Sequence, residues 1–255
     1  MCATCGCGAA EVRITALDHG HNDHGPDDHR HDHGAPTRTV LIEQDMLAKN
    51  DRLAHRNRAW LAERGAVAVN LMNSPGSGKT TLLERTVREL SNARPSRQVG
   101  VVEGDQETLL DAERIRATGC PVVQINTGAG CHLDAEMLRR GLVELDPAPG
   151  ALVFVENVGN LVCPALFDLG EARRVVVMSV TEGVDKPLKY PHMFATADLV
   201  VVNKTDLLPY VDFDLARCAG NVRRVKPGAQ LVHVSATNGD GLHAWYAWLN
   251  ALRVP

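Results

Sequence analysis

Asn73-Ser74-Pro75-Gly76-Ser77-Gly78-Lys79-Thr80-Thr81 is the stretch whose reading decides the fold of this chain. An apolar run, Ala66–Met72, precedes it, and a helix-compatible segment, Thr80–Leu90, overlaps its end and continues it. Strand, glycine-containing loop with Gly-Lys-Thr, and helix, in that order, make a phosphate-binding loop. The general pattern lacks only its first glycine, where Asn73 stands. Gly76 and Gly78 let the backbone turn tightly and aim its N–H groups inward, and the helix that follows presents its positive end to a β-phosphate. Ser77 and Thr81 belong to the same candidate nucleotide-binding stretch. Lys79 can reach the β- and γ-phosphates, and Thr80 can give its hydroxyl to Mg²⁺. A chance Gly-Lys-Thr in a glycine-rich turn would lack the flanking strand and helix.

Outward from this loop, short runs rich in Val, Ile and Leu recur: Gln98–Val102, Pro121–Ile125, Ala151–Val155, Val175–Val180, Leu199–Val202 and Leu231–Val234. Each is too short for a buried helix. Helix-compatible segments such as Glu107–Ala117, Leu133–Val143 and Leu242–Leu252 separate most of them. Continuous apolar strands alternating with helices predict an α/β fold with a mainly parallel sheet and helices on both faces. Ligands of such sheets gather at the carboxyl ends of the strands. A loosely amphipathic helix is expected from about Thr37 to Gly65, and no internal repeat is seen.

Two further strings lie at such strand ends. Asn203-Lys204-Thr205-Asp206 follows the run Leu199–Val202 and suits guanine. An aspartate carboxylate at Asp206 can accept from both N1–H and the exocyclic amine, a donor pair that adenine lacks. Asn203 can face the other edge of the base, and the stem of Lys204 can lie over it. Unpaired buried acceptors would penalise ATP. After the last strand, backbone N–H groups of Ser235-Ala236-Thr237 could meet the guanine oxygen. The competing reading of the first string alone is a turn with solvated charges. Two carboxylates complete the set: Asp105 could hold Mg²⁺ or place the attacking water, and Glu156 stands where nucleotide-hydrolysing folds place an acidic metal partner. The segment Asn157–Leu161 could move with the γ-phosphate. Either acid could instead be a helix cap or a solvated strand end.

Cys131 and His132 are adjacent, and Cys163 follows the candidate moving segment. Thiolate and imidazole suit Zn²⁺ or Ni²⁺ far better than Mg²⁺. All three are expected in loops after strands, so they could converge. A single chain offers three ligands here, and a symmetric dimer could add more across its axis. Taken alone, a cysteine is usually a small buried residue, and Cys120 and Cys218 are read that way. Residues 1–36 are read as a flexible metal-binding tail, and residues 37–255 as the nucleotide-binding domain. The tail opens with Cys2-x-x-Cys5-x-Cys7 and carries His19, His21, His24, His29, His31 and His33 among Asp, Gly and Pro. Three sulfurs and a terminal amine, should Met1 be removed, could impose the square-planar geometry that suits Ni²⁺. An incidental thiol cluster and a solvated polar linker are the plain alternatives.

Composition sets the outer bounds. The chain has 255 residues, 44% hydrophobic and 23% charged, with a net charge of −4. A body of roughly 220 residues can bury most of its apolar surface without disulfides. The mild negative charge argues against a nucleic-acid partner held by phosphate neutralisation. No apolar run reaches the ~18 residues of a membrane span. The N-terminus lacks a basic region followed by an apolar core, which predicts no signal peptide and a cytoplasmic chain. Clustered thiols in that compartment favour metal over disulfides.

On Ser74–Thr81, Glu103-Gly104-Asp105, Gly130-Cys131-His132-Leu133, Glu156–Pro164 and Asn203–Asp206, the sequence resembles the HypB family of hydrogenase nickel-incorporation GTPases. The resemblance covers the chain from about residue 37 onward. It implies a GTPase of the dimerising class that includes signal-recognition and MinD-like proteins. It also implies a metallochaperone that cycles between GTP and GDP and helps load Ni²⁺ into [NiFe] hydrogenase. The implied partners are a HypA-like nickel- and zinc-binding accessory protein, the hydrogenase large subunit, and a second copy of the chain in a GTP-dependent homodimer. In that family the matches to Cys131, His132 and Cys163 form a metal site at the dimer interface, and the matches to Cys2, Cys5 and Cys7 a tight nickel site. Three other readings compete with it. They are a urease-type nickel GTPase, a nickel or zinc storage protein with a vestigial nucleotide fold, and a GTP-dependent regulator whose tail serves only to bind a partner.

Overall fold

A computed structural model of the chain describes residues 38–92, 97–105, 110–128 and 130–253. Two compact units divide the chain, Met1–Ala48 and Lys49–Pro255. Of the first, the described residues are the opening turns of a helix, α1 (Arg38–Glu63). Cys2, Cys5, Cys7 and the histidine run lie outside the described residues.

The larger unit carries a seven-stranded sheet: β1 (Val67–Asn73), β2 (Val99–Asp105), β3 (Val122–Asn126), β4 (Leu152–Glu156), β5 (Arg173–Ser179), β6 (Leu199–Asn203) and β7 (Gln230–His233). Its order is β3-β2-β4-β1-β5-β6-β7, and every pair is parallel. Each apolar run named above is one of these strands. The connections carry α2 (Lys79–Asn92), α3 (Leu110–Arg116), α4 (Ala135–Leu145), α5 (Lys186–Lys189), α6 (Pro191–Thr196) and α7 (Leu215–Val225), and α8 (Leu242–Ala251) follows β7.

Side chains alternate across a strand, so each central strand feeds two cores. Val175, Val177, Leu199 and Val201 face one core, which they share with Leu82, Leu83 and Val87 of α2 and Trp245 and Leu249 of α8. Val176, Met178, Val200 and Val202 face the other, with Phe194 of α6 and Val222 of α7. The buried residues of α2 recur as Leu82, Leu83, Thr86, Val87 and Leu90, the stripe a helix needs to lie on a sheet. Inside α1, buried Asn57 donates to the carbonyls of Ala135 (2.8 Å) and Leu169 (2.9 Å). These bonds fasten the C-terminal half of that helix to the ends of two loops. Among the described residues, no helix is long and apolar enough to cross a membrane.

The central strand β1 lies between β4 and β5. The connection after β1 leads to β2 on one side and the connection after its neighbour β4 leads to β5 on the other, so a crevice opens at the carboxyl ends of this pair. The candidate residues of β1, β2 and β4 all end at that rim.

Candidate functional site

The phosphate loop begins where β1 stops. Asn73, in the place of the pattern's first glycine, is the last strand residue, so its φ need not be positive. Its amide donates to Ser74 O (2.6 Å) and Ser77 Oγ (3.0 Å), bracing the loop from inside. Gly76 and Gly78 adopt φ of 77° and 85°, which L side chains avoid. A Cβ on Gly78 would also stand 2.6 Å from Asn203 Nδ2.

Lys79 and Thr80, the first residues of α2, look onto Glu156 at the end of β4. The Lys79 ammonium is buried, lies 3.6 Å from Glu156 Oε1, and donates to the carbonyl of Asn157. Thr80 Oγ1 is 2.7 Å from Glu156 Oε1 and 3.0 Å from Asp111 Oδ2, with one proton to give to either. Glu103, Asp105, Asp111 and Glu156 line one cavity of about 330 Å³ with Lys79, Thr80 and Arg114. Acidic groups outnumber basic ones in this lining, and oxygen donors of this kind suit Mg²⁺. Burial, followed by the charge of Glu156, pushes the Glu103 carboxyl up to about 8. Among the described residues, Oε2 of Glu103 and Oε2 of Glu156 meet no hydrogen-bond partner.

At the other end of the crevice, the second nucleotide string comes together across three loops. Asn203 Nδ2 donates to Ser77 O (3.0 Å), and Asn203 Oδ1 accepts from Ala236 N (3.0 Å). The buried amide thus joins the phosphate loop to the last loop instead of facing outward. Lys204, left-handed at φ 61°, sends Nζ to Gly76 O (2.7 Å), so its stem crosses the crevice. Asp206 Oδ1 accepts from Ser235 Oγ at 2.5 Å. Asp206, Lys204, Ser235 and Ala236 therefore share one neighbourhood.

The sulfur and imidazole donors converge as well. The ligating atoms of Cys131, His132 and Cys163 all lie within 4.8 Å of one another. The two sulfurs are 2.9 Å apart, and Cys131 Sγ is 3.7 Å from His132 Nδ1. The His132 ring stacks on Phe167, with centroids 4.0 Å apart. Burial lowers the His132 pKa, against the pull of Asp134, and so favours the neutral imidazole, the form that binds a metal. Asn157 Oδ1 accepts from Leu133 N (3.1 Å), and Asn160 Nδ2 donates to Cys131 O (3.4 Å). The segment that leaves Glu156 thus touches Lys79 first and the Cys131–Leu133 loop next. Cys120 and Cys218 pack in the two cores, where burial pushes each thiol up to about 11.

Glu103, Asp111 and Arg114 were not singled out for the site by their sequence. Glu103 stands two strand positions before Asp105, a spacing that puts both on one face. Asp111 and Arg114 sit in an ordinary helix, and only its packing brings them in.

Residues 67–233 match the family model described as CobW/HypB/UreG, nucleotide-binding domain. The chain is 56% identical over 217 residues to hydrogenase maturation factor HypB of Azotobacter vinelandii, covering 85% of this chain and 71% of that one. It is 51% identical over 238 residues to hydrogenase maturation factor HypB of Escherichia coli, covering 93% and 80%. Its fold matches the crystal structure of hydrogenase maturation factor HypB from Archaeoglobus fulgidus, with a TM-score of 0.73, 41% identity and coverage of 80% and 98%. It also matches HypB from Helicobacter pylori in complex with nickel, with a TM-score of 0.72, 37% identity and coverage of 79% and 94%.

Proposed function

The chain belongs to the CobW/HypB/UreG family of nucleotide-binding proteins, among the HypB hydrogenase maturation factors, and from that premise we propose that it is a cytoplasmic, GTP-hydrolysing nickel metallochaperone. Gly76, Ser77, Gly78 and Thr81 cradle the phosphates, and Lys79 neutralises the β- and γ-phosphates. Thr80, Asp105 and Glu156 hold Mg²⁺, which stabilises the charge that builds on the transferring phosphoryl group. Asp105 stands at the rim, where it can orient the attacking water. Asp206, Lys204 and the Ser235–Ala236 backbone select guanine, while Asn203 locks their loops to the phosphate loop. Cys131, His132 and Cys163 hold Ni²⁺ or Zn²⁺ as cargo, completed by donors from a second copy across a symmetric interface. Cys2, Cys5 and Cys7 form a separate nickel site in the tail. The metal passes between this chain, a HypA-like accessory protein and the hydrogenase large subunit.

One observation carries this reading. The segment from Glu156 to Cys163 starts at the phosphate site, with Asn157 bonded to Lys79, and ends at the sulfur cluster. A terminal phosphate can therefore act on metal ligands through eight residues of chain. Phosphate release from Mg²⁺-GTP, compared with Mg²⁺-ATP, tests the enzyme. Guanine-selective turnover is expected, lost in Lys79→Ala while tail nickel binding persists. An unmodified protein that leaves GTP intact would support the storage reading instead. Sulfur-to-nickel absorption bands that survive Cys2→Ala would remove that residue from the tail site.

A further inference from the structure

We propose that Glu103 is a positioning residue for the nucleotide's Mg²⁺, its carboxylate accepting a hydrogen bond from a water bound to the ion. The inference rests on the Mg²⁺-GTP reading above.

Glu103 is 2% exposed, and its Oε2 has no hydrogen-bond partner among the described residues. It lies in register with Glu156 across the β2–β4 pair. Residues in register on neighbouring parallel strands project to the same face. Glu103 therefore stands beside the carboxylate that takes the Thr80 hydroxyl, and both line the phosphate cavity. The same face of β2 carries Val101, wholly buried in the apolar core. A valine at 103 would continue that core, whereas a buried carboxylate short of donors, with Glu156 and Asp105 near, destabilises the fold. The chain bears this cost at the one end of β2 that faces the cavity.

An occupant that brings both positive charge and a donor would satisfy Glu103 Oε2 best. A phosphate brings only acceptors and negative charge, and guanine belongs to the Asp206 end. A hydrated divalent cation brings both positive charge and O–H donors, and Mg²⁺ characteristically keeps several of its waters. Thr80 and the phosphates supply direct ligands, so Glu103 acts one water farther out and fixes where the hydrated ion sits. Outer partners of this kind are worth about 10- to 100-fold in metal affinity.

The test compares the unmodified chain with Glu103→Gln, which keeps the shape and removes the charge. GDP and a non-hydrolysable GTP analogue are titrated calorimetrically with Mg²⁺ and with a chelator, and thermal unfolding of the nucleotide-free protein checks that each variant is folded. In Glu103→Gln the Mg²⁺-dependent gain in affinity should fall roughly 10-fold or more. Affinity in chelator should stay unchanged. Glu103→Asp, which keeps the charge but retracts it, should recover part of the Mg²⁺ effect. A folded Gln variant that keeps the full Mg²⁺ effect overturns the proposal. An unmodified chain whose guanine-nucleotide affinity ignores Mg²⁺ would instead overturn the reading on which the proposal rests.

Discussion

A buried carboxyl short of partners makes stability depend on pH in the opposite sense to an ion-paired one. Burial, then Glu156, raises Glu103 from its ordinary 4.5 to about 8. Between those values the folded chain keeps a proton that the unfolded chain has released. Folding thus binds a proton, and the stability of the nucleotide-free protein should fall as pH rises through that window. His132 and His233, both lowered by burial, act in the other sense: they contribute stability above the ordinary histidine range that is lost as pH falls. The difference between the unmodified chain and Glu103→Gln isolates the carboxyl. Urea unfolding at the two ends of the window should show a slope in the first that the second lacks; parallel curves would place the Glu103 proton elsewhere. At this scale the sequence was readable where a motif fixes the backbone, as at Gly76, Gly78 and Lys79. It was silent where reach depends on a distant neighbour. Asn203 was expected to face the base, but Ser77 and Ala236, 126 and 33 residues away, take both ends of its amide.

Among the elements, α2 has two tasks, because its first turn presents Lys79 and Thr80 and its later turns lie on the sheet. A buried polar contact helps fix it to the last helix. The indole N–H of Trp245 in α8 donates to Thr86 Oγ1 at 2.8 Å, and that hydroxyl donates on to Leu82 O at 2.6 Å. Both residues are buried. Thr86→Val keeps the volume and strands the indole N–H, so it should cost about 1–3 kcal/mol. That is a lowering of Tm by roughly 2–4 °C per kcal/mol for a domain of this size. Calorimetry checks it, and an unchanged Tm would mean that the Trp245 N–H finds another acceptor. The strands were legible because a sheet covered on both faces demands unbroken apolar runs, as in Val175–Val180. β2 extends past its apolar part to Glu103-Gly104-Asp105, since strand ends at the crevice carry polar site residues. The helices after β5 were not picked out: α5 and α6 have four and six residues, opened by Pro187 and Pro191, too short to show a period. For α7 a signal was present, since Asp214 caps it by accepting from Arg217 N at 2.9 Å.

At the largest scale, two donor sets, the acidic oxygens beside the phosphate loop and the Cys131, His132 and Cys163 cluster, stand at the two ends of one short segment. Asn157 is the joint between them. Its carbonyl takes the Lys79 ammonium, its Oδ1 takes Leu133 N and Val158 N (3.0 Å), and its Nδ2 reaches Asn70 Oδ1 at 3.4 Å. On the proposed function, a γ-phosphate would compete with the Asn157 carbonyl for Lys79, and a shift of Asn157 would reach the loop that carries Cys131 and His132 through its bond with Leu133. Coupling of this kind is reciprocal: the factor by which a GTP analogue changes nickel affinity is the factor by which nickel changes the affinity of the analogue. Factors of about 5 to 150 are usual for two coupled sites. The measurement is a pair of nickel titrations, on the GDP-bound and analogue-bound chain, with Cys2, Cys5 and Cys7 replaced by serine so that the tail does not compete. Asn157→Ala should bring the ratio toward one while both ligands still bind, at a stability cost of about 1–3 kcal/mol from the broken buried network. Sedimentation of the same samples reports whether the two nucleotide states also differ in association. A ratio that survives Asn157→Ala would mean that the signal bypasses this joint, through contacts such as that of Asn160 with Cys131 O.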